Sequence, residues 1–181
     1  MAAVDLTSII DDLQYLGRVT SRLTSNWRKS LGSCKGAIHD PTNIIMQVCT
    51  KGDATFIFNN LIKWLKQWDT RKSLSEAQLK LGIQYLYAYA VWADFLLHHL
   101  EFYPPDGSDK VKGLRNLTQN QKNFGEVVLL TTEKLIGCTG QLSGILLPQI
   151  NSLKRLPADL VKKREFISDQ CLALRVMHLQ Y

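Results

Sequence analysis

Apolar residues recur at intervals of three and four along most of this chain, and the alternating pattern of strands is nearly absent. Leu6, Ile9, Leu13, Leu16, Leu23 and Trp27 form the first such stripe. Thr20 fills the missing step, and Ile10 and Val19 widen the face. The spacing predicts a long amphipathic helix that Gly32 and Gly36 bring to a stop. A one-sided helix must bury its stripe against other helices, so the pattern predicts an all-α bundle.

Further starts and stops divide the rest of the chain. Asp40-Pro41 reads as an N-cap followed by proline in the first helical turn, ahead of a short helix with Ile44, Ile45 and Val48. Gly52 ends it and Asp53 caps the next, whose apolar face is Ile57, Phe58, Leu61, Leu65 and Trp68. On that face Trp68 is expected to be more buried than Trp64. Ser73-Leu74-Ser75-Glu76 reads as a capping box before a helix over 76–103. Between Leu81 and Leu97 that helix carries, besides three tyrosines, only Gln84 and Asp94 as strongly polar residues. A helix apolar on all sides belongs at the centre of a bundle or in a membrane. The run is at the short limit for spanning and holds a carboxylate, so the reading is a central buried helix and no transmembrane segment.

Pro104-Pro105-Asp106-Gly107-Ser108-Asp109 predicts a loop. A helix follows from about 110 to 147, with a possible break at Gly125 and an end or kink at Pro148. Leu156-Pro157-Ala158-Asp159 starts the last helix, with Leu160, Ile167, Cys171 and Leu174 on one side and Val161, Leu172 and Leu179 on another. No stop signal precedes Tyr181, which suggests a longer parent protein of which this is the amino-terminal part. The prediction is a single domain over 1–181, a five- or six-helix bundle around 76–103.

The 181 residues suffice to bury a core without metals or disulfides. Four scattered cysteines without close spacing, and no signal peptide, predict free thiols in the cytoplasm or nucleus. A net charge of +6 permits nucleic acid, acidic protein or anionic lipid as partner and requires none.

Five groups carry candidate chemistry. Asp94, His98 and Glu101 share one helical face and form a weak metal candidate, but bundle metal sites draw ligands from several helices. An Asp94–His98 pair along the helix is the simpler expectation. His39-Asp40 resembles the metal-binding doublet of HD-family phosphohydrolases, whose upstream histidine this chain lacks. Gly137-Cys138-Thr139-Gly140 with Gly144 lacks the Lys and Ser/Thr of a phosphate loop. Its spacing predicts instead a small-residue face over which another helix passes closely. Tyr85, Tyr89, Trp92 and Leu96 form an aromatic stripe, either core or an exposed anchor for a partner. Burial of that stripe would move the expected interface to the last helix, at Leu172 and Leu179. Finally, Lys154, Arg155, Lys162, Lys163 and Arg164 are the densest basic group and the candidate phosphate site.

The functional expectation is a non-enzymatic interaction module without cofactor, a scaffold or adaptor binding another protein or a second copy through Tyr85, Tyr89, Trp92, Leu172 and Leu179. The alternative is nucleic-acid or anionic-lipid binding through the basic groups. A metal-dependent enzyme at Asp94, His98 and Glu101 is third.

Overall fold

The computed structural model describes residues 4–31, 44, 45, 47, 48, 54–102 and 119–180, with side chains described outside 21–31, 98–102, 119–128 and 174–180. Within these residues the fold is all-helical: α1 (Thr7–Leu31), α2 (Thr55–Lys66), α3 (Glu76–Phe102), α4 (Gln119–Asn151) and α5 (Ala158–Gln180). Residues 44, 45, 47 and 48 are also helical, and Val48 is buried. The expected loop at 104–109 and the caps at Asp40 and Asp53 lie outside the described residues. No described helix is long and apolar enough to cross a membrane.

α1 packs on α2 and α4, α2 on α3, and α3 on α4, which closes a ring of four. α5 lies along the seam between α3 and α4. The apolar helix α3 therefore shares the centre with α4, since each touches three others. From Tyr89 to Leu97 every residue of α3 except Asp94 is buried. This follows from a helix covered on three sides.

Helix ends show where local chemistry acts. The Thr7 amide donates to Asp5 Oδ1 at 2.9 Å and opens α1. Hydrogen bonding from the Thr7 side chain, and then from this amide, holds the Asp5 carboxyl below its ordinary value. α2 starts at Ala54 with no side-chain cap. It ends with Lys63 and Lys66 in its last turn, where cations complement the helix dipole. The capping box of α3 sits two residues later than its sequence signature at Ser73 suggested. The Gln78 amide donates to Ser75 Oγ at 3.2 Å, and the Ser75 amide to Gln78 Oε1 at 3.1 Å. Ser75-x-x-Gln78 satisfies the same pattern, because glutamine replaces glutamate as the reciprocal acceptor.

α4 runs unbroken through Gly125 and continues past Pro148 to Asn151. Proline deprives the carbonyl four residues back of its partner. That residue is Gly144, which is exposed, so water can take the vacated site. The turn after Asn151 is closed by Arg164, whose Nη1 donates to the carbonyls of Leu153 at 2.9 Å and Ile150 at 3.3 Å.

A close approach of α2 to α3 occurs at a glycine that no sequence signature marked. A Cβ on Gly82 would lie 2.3 Å from Trp64 Cζ2 and 2.7 Å from Cη2. Glycine at this position lets the indole lie flat on α3. There Trp64 Nε1 donates to the Gln78 carbonyl at 3.0 Å. Trp64 is therefore buried, while Trp68 is only half-buried, the reverse of the order expected from their spacing. α2 ends at Lys66, so the helical face does not extend to Trp68.

Candidate functional site

The aromatic stripe of α3 is divided by its neighbours. Tyr89 and Trp92 are almost completely buried and only Tyr85 is half-exposed. Tyr89 lies edge-on to Phe58 of α2, with ring centroids 6.0 Å apart. Its hydroxyl shares a buried hydrogen bond of 2.9 Å with Thr139 Oγ1 of α4. Trp92 stacks on Phe95 at 5.1 Å and its indole N–H is buried with no hydrogen-bond partner among the described residues. Tyr89 and Trp92 thus belong to the core, which corrects their reading as an exposed anchor. The cause is that α2 and α4 both cover the face they occupy.

The small-residue face of α4 is also in an unexpected place. Gly137, Gly140 and Gly144 are all exposed, and among the described residues nothing beyond the adjoining backbone of α4 lies within 4 Å of the position a Cβ would take at any of them. No described helix crosses over them, contrary to the close passage their spacing suggested. At about 100° per residue, Leu130, Glu133, Gly137, Gly140, Gly144 and Pro148 occupy about 80° of arc. Leu135, Cys138, Thr139, Leu142 and Leu146 point the opposite way, into the core. The glycines therefore face away from everything α4 packs on. Leu129 and Leu130, exposed by 53% and 41%, sit at the amino-terminal end of this surface.

α5 borders the same surface. Lys163 Nζ lies over the Tyr87 ring of α3 at 5.4 Å, and Phe166 meets Tyr87 edge-on at the same centroid distance. Arg164 reaches the other way, to the end of α4. These contacts orient the helix. By the 100° rule, Val161, Ser168 and Leu172 lie on the edge nearest α4. Leu172 is 63% exposed, the highest value among the exposed large apolar residues. Gly140 and Gly144 on α4 and Leu172 on α5 consequently lie on neighbouring outward edges of the two helices. Leu179, expected beside Leu172, lies outside the described side chains.

Where α3, α4 and α5 meet is a cavity of about 20 Å³ whose lining includes Tyr89, Thr139, Ser143, Leu146, Ile167 and Cys171. That volume holds about one water molecule and no substrate. Cys138 and Cys171 are buried free thiols. Burial pushes the Cys138 thiol up to about 12, so it stays protonated and unreactive at neutral pH. Burial also drives the Tyr89 hydroxyl well above its ordinary value.

Asp94 is half-buried, and the side chains of His98 and Glu101 lie outside the described ones. Among the described residues no three His, Cys, Asp or Glu side chains are grouped to hold a metal ion.

The basic group divides in two. Arg164 is committed to carbonyls and Lys163 to Tyr87, so neither is a free phosphate ligand. Lys154, Arg155 and Lys162 are exposed. The chain matches no protein-family model, no curated protein and no solved structure.

Proposed function

We propose that this chain is a non-enzymatic interaction module, a scaffold or adaptor unit, that receives an apolar helix of a partner protein on the α4–α5 face. One observation carries the reading: three glycines sit in the middle of α4, opposite the core, with no described residue over them. Glycine destabilises a helix interior by about 0.5–1 kcal/mol relative to alanine. None of the three serves a turn, and none makes room for another described element of this chain. Their chemistry suits a partner whose backbone must come close, as small residues permit between packed helices. The exposed Leu129, Leu130 and Leu172 around them supply the apolar area of a helix-in-groove interface.

The test couples stability to binding. Gly140→Ala and Gly144→Ala are each expected to raise the stability of the isolated chain by about 0.5–1 kcal/mol. Gly140→Leu with Gly144→Leu is expected to leave the chain folded while covering the glycine face with side chains. A tagged wild-type chain, purified from nuclease-treated cells, is expected to retain a stoichiometric protein partner or a second copy. The double leucine variant and Leu172→Asp are expected to lose it. Capture that is unchanged in both variants would reject this face. A strictly monomeric chain with no captured partner would reject the module.

A further inference from the structure

Two loops 75 residues apart meet at one end of the bundle. The Leu74 amide, in the loop before α3, donates to Gln149 Oε1 in the last turn of α4 at 3.1 Å. This joins the loop over 67–75 to the last turn of α4, from which the loop over 152–157 leaves. Both loops are held rigidly. Trp68 Nε1 donates to the Lys72 carbonyl at 2.8 Å, and the Lys72 amide to the Asp69 carbonyl at 2.9 Å. Ser152 Oγ donates to the Gln149 carbonyl at 2.6 Å, and Arg164 fastens the second loop from α5.

The charges at this end do not balance. Asp69 is paired with Arg71 at 3.1 Å, and Glu76 with Lys80 at 3.3 Å. Lys66, Lys72, Lys154, Arg155 and Lys162 form no ion pair among the described residues, and all five are exposed. Asp159 and Glu165 are the acids beside this group that form no such pair among the described residues. Five free cations against two free acids leave three positive charges, carried by the two loops (Lys72, Lys154, Arg155) and the helix ends beside them (Lys66, Lys162). Sequence spacing alone joined Lys154, Arg155 and Lys162 with Lys163 and Arg164. The tertiary structure replaces the last two with Lys66 and Lys72 from another part of the chain.

We propose that this end binds the phosphate backbone of nucleic acid, without reading its sequence. Rigid loops lose little entropy on binding, which favours a polyanion with closely spaced charges. The apolar side chains here, Trp68, Leu74, Leu153 and Leu156, all pack on the core. None of them projects to enter the acyl region of a bilayer, where a peripheral protein gains much of its affinity. The surface is distinct from the α4–α5 face and stands or falls separately from it.

The experiment is fluorescence anisotropy of a labelled 20-base-pair DNA duplex titrated with the full chain between 50 and 200 mM salt. Engagement of about four phosphates predicts that log K falls against log salt with a slope of about −3 to −4. Lys154→Glu with Arg155→Glu is expected to weaken binding at least tenfold and reduce the slope by about 2. Lys72→Glu, in the other loop, is expected to reduce it by about 1. Arg18→Glu, exposed on α1, is expected to change neither. Duplexes of different sequence bind alike. No duplex binding, a slope near zero, or indifference to both loop variants would overturn the proposal. So would tight binding to phosphatidylserine vesicles by a chain that ignores the duplex.

Discussion

Gly82→Ala adds one methyl group where the ring of Trp64 already lies. The new Cβ would sit 2.3 Å from Trp64 Cζ2, well over 1 Å inside an ordinary carbon–carbon contact of about 3.5–4.0 Å. The ring cannot swing aside freely. It is 4% exposed, and its N–H is fixed on the Gln78 carbonyl at 3.0 Å. Two effects compete. Alanine in a helix interior is favoured over glycine by about 1 kcal/mol. Overpacking typically costs about 1–3 kcal/mol, and a displaced indole that loses its buried acceptor costs about 1–3 kcal/mol more. The clash wins, and the expected net loss is between about 1 and 5 kcal/mol. For a chain of this length each kcal/mol moves Tm by about 2–4 °C, so Tm should fall by roughly 2–20 °C. Thermal unfolding followed by circular dichroism measures this. The double variant Gly82→Ala with Trp64→Leu identifies the cause, because adding alanine to the smaller side chain should then be neutral or favourable. A Tm for Gly82→Ala equal to or above wild type would refute the reasoning, as would an alanine penalty that persists without the indole.

Two further outcomes follow from the same contacts. Arg164→Ala should destabilise the fold by about 1–2 kcal/mol, since it removes the donor to the Ile150 and Leu153 carbonyls, while the exposed Lys162→Ala should stay within about 0.5 kcal/mol of wild type; urea unfolding separates the two, and equal effects would contradict their different roles. Cys138 keeps its proton up to about 12 when folded but ionises near its ordinary value of 9.0 when unfolded. The unfolded state therefore binds fewer protons between those values, so this thiol makes stability fall as pH rises from about 9 towards 12. Cys138→Ala should flatten part of that alkaline loss in pH-dependent urea unfolding, and an unchanged slope would show that the thiol does not contribute.

Much of the fold is legible from residue spacing. The stripe of Leu6, Ile9, Leu13 and Leu16 is buried along α1, and Ile57, Phe58, Leu61 and Leu65 are buried along α2. Leu160, Ile167 and Cys171 likewise mark the inner face of α5. Such stripes are readable because helical periodicity is a property of the chain alone. Caps are less so: two overlapping serine patterns at Ser73 and Ser75 compete, and only the backbone conformation chooses between them. Of the candidate site residues read from spacing, Leu172, Lys154, Arg155 and Lys162 are exposed, as a surface role requires.

What the sequence determined by itself is therefore the helices and the sides they bury. The tertiary structure decided which neighbour each side meets. It placed Tyr89 and Trp92 under α2 and α4, turned Gly137, Gly140 and Gly144 outward, and made Gly82 the point of close approach. It also drew Arg164 and Lys163 into internal contacts and brought Lys72 to the same end as Lys154. The physical reason is the range of the interactions. Periodicity and capping act over three or four residues, whereas exposure, close contact and summed charge depend on elements far apart in the chain.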